Sequence, residues 1–224
     1  FVANISHELK TPIGALSLLA ETLADETDPA TAQRLSTRLR DEALRVSRTV
    51  EDLLALSRIE GDGMTDLEQL PVASIVAEAT DRVRPVAALH NVAVCVAPVD
   101  PSVELRGDRR QLVSALFGLL DNAVKYSEAG GTVDVRVEAR GDRVAMVVRD
   151  TGIGIPTRDL ERIFERFYRV DRARARDTGG TGLGLSIVRH VAQNHGGDVT
   201  VSSREGEGSE FTIVVPVGTR EVAP

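Results

Sequence analysis

The chain has 224 residues, of which 42% are hydrophobic and 27% are charged, a balance typical of a globular protein with one large or two small cores. Its net charge of -7 argues against nucleic acid as the main partner, because binding to phosphates needs a basic surface. The single cysteine, Cys95, excludes an internal disulfide.

Membrane-spanning helices need ~18 uninterrupted apolar residues, and no stretch approaches that length. We therefore expect no membrane contact by this segment. The chain starts at Phe1 inside a helical pattern, and we expect it to be a piece of a longer protein.

Residues 1 to about 60 predict two long helices. The apolar residues of the first recur at alternating spacings of three and four, which is the a/d seam of a heptad pattern: Val2, Ile5, Leu9, Pro12, Leu16, Leu19 and Leu23. The second has an apolar face made of Leu35, Leu39, Ala43, Val46, Val50, Leu53 and Leu56. Asp28 is the predicted N-cap of this second helix and Pro29 its first residue.

Neither helix can bury its apolar stripe alone. We expect an antiparallel helical hairpin, and two such hairpins can form a four-helix bundle in a homodimer through residues 1–60. Packing of the hairpin onto the downstream residues is the competing arrangement. Gly61 and Gly63 predict the end of the second helix and a linker.

From about residue 66 the pattern changes to mixed α and β structure. We predict helices at 74–88, 108–126 and 183–194, and strands at 92–96, 103–105, 133–137, 144–148, 199–203 and 210–215. Because the strands group around hairpins, we expect a mixed, mostly antiparallel sheet with helices on one face. The predicted domains are residues 1–62 and 66–217, followed by a tail at 218–224.

The first segment with residues suited to catalysis is Ser6-His7-Glu8-Leu9-Lys10-Thr11-Pro12. The heptad count places His7 at position f, away from the seam, where an imidazole can accept a phosphoryl group. The Glu8 carboxylate can hydrogen-bond the other ring nitrogen and take up a proton, and Thr11 could orient a water. Pro12 predicts a bend in the helix. A lone exposed histidine beside a glutamate usually belongs to a solvated helix face, but the whole heptapeptide in this register favours a phosphoacceptor.

The segment from Leu119 to Tyr126 ends a predicted helix. The neutral Asn122 oxygen can ligate Mg²⁺, which keeps most of its ligands from waters and phosphates, and Lys125 can reach a phosphate. Taken alone, this pattern is equally consistent with a helix that ends in a polar cap.

Two glycine-containing segments follow. Asp150, at a strand end, can accept a hydrogen bond from the exocyclic amine of adenine, and Gly152 and Gly154 let the backbone approach a ring, although an ordinary strand-to-helix turn has the same residues. The run 179–186 opens a helix and can present N–H groups to phosphates. It is neither a P-loop nor a dinucleotide fingerprint. The segment 164–176 between them predicts a lid, with Phe164 and Phe167 at its base and several arginines beyond.

In this order, the five segments resemble the H, N, G1, F and G2 boxes of sensor histidine kinases, and residues 1–12 are similar to the PhoR-like group. The resemblance implies a dimerisation and phosphotransfer domain, followed by an α/β-sandwich ATP-binding domain of the gyrase, Hsp90, histidine kinase and MutL type. It implies Mg²⁺-ATP-dependent autophosphorylation of His7 with Glu8 as base, and transfer to an aspartate of a response regulator receiver domain. It further implies that Thr11 assists phosphatase activity toward the regulator, and that the chain is the cytoplasmic portion of a membrane-anchored bacterial protein.

The resemblance also assigns a nucleotide site. Asn122 matches the Mg²⁺ ligand, Lys125 a phosphate contact, Tyr126 an adenine-side residue and Asp150 the acceptor for the adenine amine. The remaining expected contacts are Gly152, Gly154, Ile155, Arg169, Gly180, Gly182, Leu183 and Gly184.

One position departs from the family pattern. The family usually has an asparagine four residues before Asn122, where this chain has Gly118, which offers no side-chain oxygen. Asp121 is the neighbouring candidate to replace it. Two other functions stay open: an ATPase of the gyrase and Hsp90 type, against which the His7 segment argues, and a degenerate kinase that acts as a nucleotide-sensing scaffold, which Gly118 favours.

Overall fold

Two helices form the N-terminal part of the molecule. The computed structural model describes residues 2–61, 67–170 and 180–217; the side chains of residues 2–8, 58, 60 and 61 are outside that description. Helix α1 spans Val2–Ala24 and continues through Pro12, and α2 spans Pro29–Gly61. The Asp28 carboxylate accepts hydrogen bonds from the Thr31 N–H at 2.9 Å and the Thr31 hydroxyl at 2.7 Å, which confirms the predicted N-cap.

The packing of α1 against α2 leaves part of the predicted apolar faces uncovered. Several seam residues are half-buried between the two helices: Leu9, Leu16, Leu19 and Leu23. Ala43 and Val50, which the sequence places on the apolar face of α2, are exposed in the single chain, Val50 to 40%. Four other large apolar side chains of the hairpin are also exposed: Ile13, Leu18, Leu44 and Leu54. The hairpin alone therefore does not satisfy its own hydrophobic pattern.

The mixed α/β part follows from residue 67. Its helices are α3 Val72–His90, α4 Arg109–Tyr126 and α5 Gly184–Asn194, and two short 3₁₀ helices lie at Thr157–Asp159 and Arg162–Phe164. Its strands are β1 Glu68–Pro71, β2 Ala93–Val96, β3 Glu104–Gly107, β4 Thr132–Arg140, β5 Arg143–Asp150, β6 Asp198–Arg204 and β7 Gly208–Pro216. Each predicted helix and strand is present to within a few residues.

The main sheet has five strands in the order β2-β4-β5-β7-β6, and only the β2–β4 pair is parallel. This confirms the expected mixed, mostly antiparallel sheet. Strand β1 was not predicted; it pairs with β3 in a separate two-stranded sheet with Leu70 opposite Leu105. Leu70 is the one buried residue of β1, so four residues gave too little alternation to recognise.

The core lies between the sheet and the layer of α3, α4 and α5. The central strand β5 is buried from Val144 to Val148, and α4 contacts β4, β5 and β7 on one side and α3 and α5 on the other. The end of α2 joins this core: Leu56 and Ile59 are buried, and the Asn194 amide donates to the Ile59 carbonyl at 3.2 Å. The hairpin and the α/β part are thus in direct contact.

A buried histidine connects the end of α5 to the start of α4. His195 Nδ1 bonds the Val191 carbonyl at 2.8 Å, and His195 Nε2 accepts the Asp108 backbone N–H at 3.0 Å. The Asp108 carboxylate in turn caps α4 by accepting the Gln111 N–H. Because Nε2 is an acceptor, the ring is neutral with its proton on Nδ1. Burial lowers the pKa of His195, while the Val191 carbonyl and the Asp108 charge act in the opposite direction.

Acid should therefore destabilise the fold through His195. As the pH falls below 6.5, the ordinary histidine pKa, the unfolded chain takes up a proton that folded His195 resists, so the free energy of unfolding decreases. His195→Gln, which cannot titrate, should lose about 1 kcal/mol at neutral pH but show a shallower acid dependence. Urea unfolding of both proteins at about pH 7.5 and about pH 5.5 measures this difference. Equal acid losses in the two proteins would assign the effect to other groups.

Candidate functional site

The polar side of α4 provides the first part of the site. Its apolar face is buried, including Leu119, Leu120, Ala123 and Val124, and this leaves Asp121, Asn122 and Lys125 half-buried on the other side. Lys125 Nζ forms an ion pair and hydrogen bond with the Asp121 carboxylate. Asp121 is therefore already engaged by a cation, which weakens its claim as a replacement for the family's missing asparagine.

Gly118 has a packing role in this structure. A Cβ built on Gly118 would lie 3.3 Å from Val188 Cγ2 in α5, closer than most real Cβ contacts. The glycine therefore lets α4 and α5 approach each other. Asn122 is the one amide left at this end of α4.

Asp150, the last residue of β5, is 5% exposed and lies inside the turn that follows the strand. Its Oδ1 atom accepts the Gly152 N–H at 2.8 Å and the Ser209 N–H at 3.2 Å. Burial raises the pKa of Asp150, and the two backbone donors act in the opposite direction. Both of these hydrogen bonds end on Oδ1, so Oδ2 is the oxygen suited to a further donor.

The glycines after Asp150 allow two close backbone approaches. A Cβ on Gly152 would lie 2.3 Å from the Tyr126 carbonyl oxygen, and the Ile153 N–H donates to that same oxygen at 3.1 Å. Gly154 has a φ of +67°, and a Cβ there would lie 2.0 Å from the Arg204 carbonyl oxygen. The turn is thereby held against the end of α4 on one side and the end of β6 on the other.

Ile155 continues this attachment to β6. Its backbone N–H donates to the Ser203 hydroxyl at 2.8 Å, and Ser203 donates to the Gly208 carbonyl at the same distance. The expected nucleotide-contact residue Ile155 is therefore fixed by its main chain, while its side chain is half-buried.

The glycine-rich segment from Gly180 leads into α5. Gly184 is the first residue of α5, Leu183 is fully buried, and the Leu183 N–H donates to the Thr181 hydroxyl at 3.2 Å. A Cβ on Gly180 would lie 3.9 Å from the Tyr126 hydroxyl. The structure therefore brings three predicted segments together around Tyr126: the end of α4, the Asp150 turn and the glycine-rich loop.

The first part of the expected lid is attached to the same loop. The Phe167 N–H donates to the Gly182 carbonyl at 2.8 Å, and Phe167 itself has a left-handed φ of 64°. The Phe164 ring packs edge-on against the Phe211 ring, with 6.5 Å between the ring centroids, which supports the prediction that Phe164 anchors the segment. Arg169 is half-buried just beyond. Residues 171–179, with the remaining arginines of the expected lid and Gly179, lie outside the described residues.

Asp52 of α2 also reaches this site, and sequence reasoning missed it. Its Oδ2 atom accepts a hydrogen bond from the Thr181 hydroxyl at 2.5 Å. Burial raises the pKa of Asp52, whereas the Thr181 hydroxyl and the Lys125 charge lower it. The available signal was an acidic residue next to the apolar face of α2, a pattern that many surface helices share.

The predicted phosphoacceptor segment lies on α1. His7 and Glu8 belong to the helix, but their side chains are outside the described residues, so the position of the imidazole away from the seam stays a prediction. Thr11 is exposed one turn further on.

Two family models match the chain. The model described as "Histidine kinase-, DNA gyrase B-, and HSP90-like ATPase" matches residues 107–219, and the "His Kinase A (phospho-acceptor) domain" matches residues 1–62. The chain belongs to the histidine kinases. The family predicted from the five ordered segments is confirmed.

Curated relatives resemble this histidine kinase along nearly its whole length. The sensor-like histidine kinase SenX3 of Mycolicibacterium smegmatis is 45% identical over 218 residues, which cover 96% of this chain and 56% of SenX3. The phosphate regulon sensor protein PhoR of Pseudomonas aeruginosa is 38% identical over 215 residues, which cover 95% of this chain and 48% of PhoR. The chain thus spans about half the length of these relatives, and the predicted PhoR-like group is consistent with both.

Solved histidine kinases share the fold. Full-length ShkA in complex with AMPPNP is 29% identical with a TM-score of 0.69, covering 97% of this chain and 46% of ShkA. ThkA in complex with the response regulator protein TrrA has a TM-score of 0.76 and 21% identity, and the match covers 97% of this chain and 61% of ThkA. At that identity the likeness shows the fold alone. The helical hairpin followed by an α/β ATPase-type domain is therefore confirmed. Within the described residues, every helix is too short or too polar to cross a bilayer.

The close approach at Gly154 predicts a stability difference between two glycines of like conformation. Gly141→Ala at the β4–β5 turn, where φ is +64° and the Cβ site is open, should cost about 1 kcal/mol. Gly154→Ala, at φ +67°, should cost about 2 kcal/mol more because its Cβ meets the Arg204 carbonyl. Thermal unfolding compares the two, and similar losses would mean that the turn adapts to a side chain.

Proposed function

We propose that this chain is the catalytic core of a sensor histidine kinase: it uses ATP to phosphorylate His7 and then transfers the phosphoryl group to an aspartate of a response regulator. One observation carries the proposal. The phosphoacceptor-type segment of α1 and the cluster around Tyr126 occur in one chain, each inside its own family match. An ATPase of the gyrase type would not need the first of these.

The cluster supports ATP binding through distinct contacts for base and phosphates. Asp150 Oδ2 would accept the adenine amine, because Oδ1 is already used by the backbone donors. The N–H groups of the loop from Gly180 to Gly184, at the start of α5, would bind phosphate oxygens, a role favoured at helix N-termini. Lys125 would exchange part of its interaction with Asp121 for the phosphates. Gly152, Gly154, Ile155, Arg169 and Leu183 would complete the site.

The donor set fits a magnesium ion that arrives with the nucleotide. The described residues contain no group of three His, Cys, Asp or Glu side chains able to hold a metal, and Asn122 offers one neutral oxygen. Mg²⁺ commonly takes most of its ligands from phosphates and waters, so one amide is compatible with it. When bound, the ion would offset charge on the phosphates. Asn122 would supply its side-chain oxygen to the ion, whereas Gly118 has no side-chain oxygen to offer.

The proposed transfer is in-line. A ring nitrogen of His7 would form a bond to the γ-phosphorus as the bond to the β,γ-bridging oxygen breaks, with ADP as the leaving group. Glu8, next to His7 on α1, would hydrogen-bond the imidazole and accept the ring proton. Thr11, one turn further on, would orient a water for a separate phosphatase reaction, in which water attacks the aspartyl phosphate of the regulator and inorganic phosphate is released. Positioning, rather than covalent chemistry by other residues, supplies most of the catalysis.

The uncovered apolar side chains of the hairpin support dimerisation through residues 1–60. They are Ile13, Leu18, Leu44, Val50 and Leu54. A second hairpin could cover them in a four-helix bundle, and the regulator would dock on the remaining helix surface. We further propose that the full-length protein places this core on the cytoplasmic side of a membrane, joined to a sensor region. A catalytically silent nucleotide-sensing dimer is the second candidate, since Gly118 removes one family oxygen from the metal side of the site.

Autophosphorylation separates these functions. With labelled ATP and Mg²⁺, the wild type should gain an acid-labile label and His7→Gln should gain none, because the accepting nitrogen is removed. His90→Gln, at an exposed histidine at the end of α3, is the matched control and should label like the wild type. Free phosphate without labelled protein would favour an ATPase. Neither product, with ATP bound, would favour the silent dimer.

A change at Asp150 should alter the preference for the base. In Asp150→Asn, the amide oxygen can keep the bonds from the Gly152 and Ser209 N–H groups, which turns the new NH₂ toward the site. That NH₂ opposes the adenine amine but matches the 6-oxo group of inosine triphosphate. ATP affinity should fall about tenfold or more, while the affinity for inosine triphosphate should stay the same or rise. Calorimetric titration with both nucleotides measures this, and equal losses for both would remove Asp150 from base recognition.

A further inference from the structure

Asp52 is a half-buried carboxylate at the contact between the helical hairpin and the α/β part. It lies where α2 packs against α5, with Leu56 and Ile59 buried further along α2. The Asn194 amide holds the Ile59 carbonyl at 3.2 Å at the far end of this contact. Asp52 is therefore brought to Thr181 by several contacts of the same interface and not by one flexible side chain.

The groups around Asp52 are those suited to phosphate. The Thr181 hydroxyl donates to Asp52 Oδ2 at 2.5 Å and accepts the Leu183 N–H at 3.2 Å. Asp52 is therefore hydrogen-bonded to the loop that opens α5 through Thr181. Beyond the effect of burial, the Lys125 charge lowers the pKa of Asp52 and the Asp121 charge raises it. A second carboxylate thus shares the surroundings of the Lys125–Asp121 pair.

We propose that Asp52 is an intramolecular competitor of the nucleotide phosphates: in the docked arrangement its carboxylate takes the Thr181 hydroxyl and repels a triphosphate approaching Lys125. The inference rests on the proposed ATP binding by this same loop. Because coupling between two binding events is reciprocal, a nucleotide that displaces Asp52 also loosens α2 from α5. Occupation of the nucleotide site would therefore weaken one contact between α2 and the loop that opens α5, while the buried Leu56 and Ile59 continue to hold α2 in place.

The test compares nucleotides that differ only in phosphate number, on the whole 224-residue chain. The variant is Asp52→Asn, which keeps the shape but removes the charge. The matched control is Asp41→Asn, the same change on the same helix at an exposed position. Calorimetric titration with ATP, ADP and adenosine gives the affinities. Asp52→Asn should bind ATP about fivefold more tightly than wild type, ADP with a smaller gain and adenosine unchanged, and Asp41→Asn should match wild type.

Asp52→Ala serves as a second variant, and thermal unfolding shows which variants are folded. An equal gain for all three ligands would overturn the inference, because it would mean that docking blocks the base and not the phosphates. Unchanged or weaker ATP binding in both folded Asp52 variants would also overturn it, with ATP binding itself intact. If neither the wild type nor any variant bound ATP, the proposed function would fail along with this inference.

Discussion

The burial of one face of α4 is the constraint on which the rest of the site depends. Its four leucines, Leu112, Leu116, Leu119 and Leu120, are all buried, and α4 lies between the sheet and the neighbouring helices. Burial of one such side chain is worth about 1.5–3 kcal/mol, so rotation of the helix about its axis would cost several times that amount. The orientation of Asn122 and Lys125 follows, because residues between the buried positions must face the other way.

The same burial fixes the end of α4 relative to the other segments. The Tyr126 carbonyl lies at the end of α4, where the helix itself offers it no donor, and it accepts the Ile153 N–H of the turn after β5. The Tyr126 hydroxyl lies beside Gly180 of the glycine-rich loop. An unsatisfied helix terminus thus becomes the attachment point of the turn that holds Asp150. The site is assembled by main-chain contacts, and glycine at 152 is required for steric reasons before any ligand is considered.

Much of this was predictable from the sequence, because periodicity and turn chemistry act locally. The alternation of Val133, Val135 and Val137 against β5 gave the central hairpin, and the Asp28-Pro29 pair gave the start of α2. The grouping of the Asp150 turn with the end of α4 could be inferred only from the family resemblance, since the two are far apart along the chain. Strand β1 was missed because one buried residue, Leu70, carries no period. The roles assigned to individual site residues, including His7, stay predictions.

The contact of Asp52 with Thr181 could not be predicted from the sequence for a different reason. It depends on how α2 packs against the α/β part, and the residue pattern of α2 contains no information about which loop it will contact. The charges nonetheless explain why such a contact can be transient. Removing Asp52 from water opposes its ionisation, while the Thr181 hydroxyl and Lys125 favour the charged form. Burial has the larger effect, so the pKa of Asp52 is raised, and the charged form of this half-buried carboxylate depends on the Thr181 hydroxyl and on Lys125. A modest competing interaction at the same loop is then enough to change the balance, whereas the apolar contacts of Leu56 and Ile59 alone would be insensitive to charge.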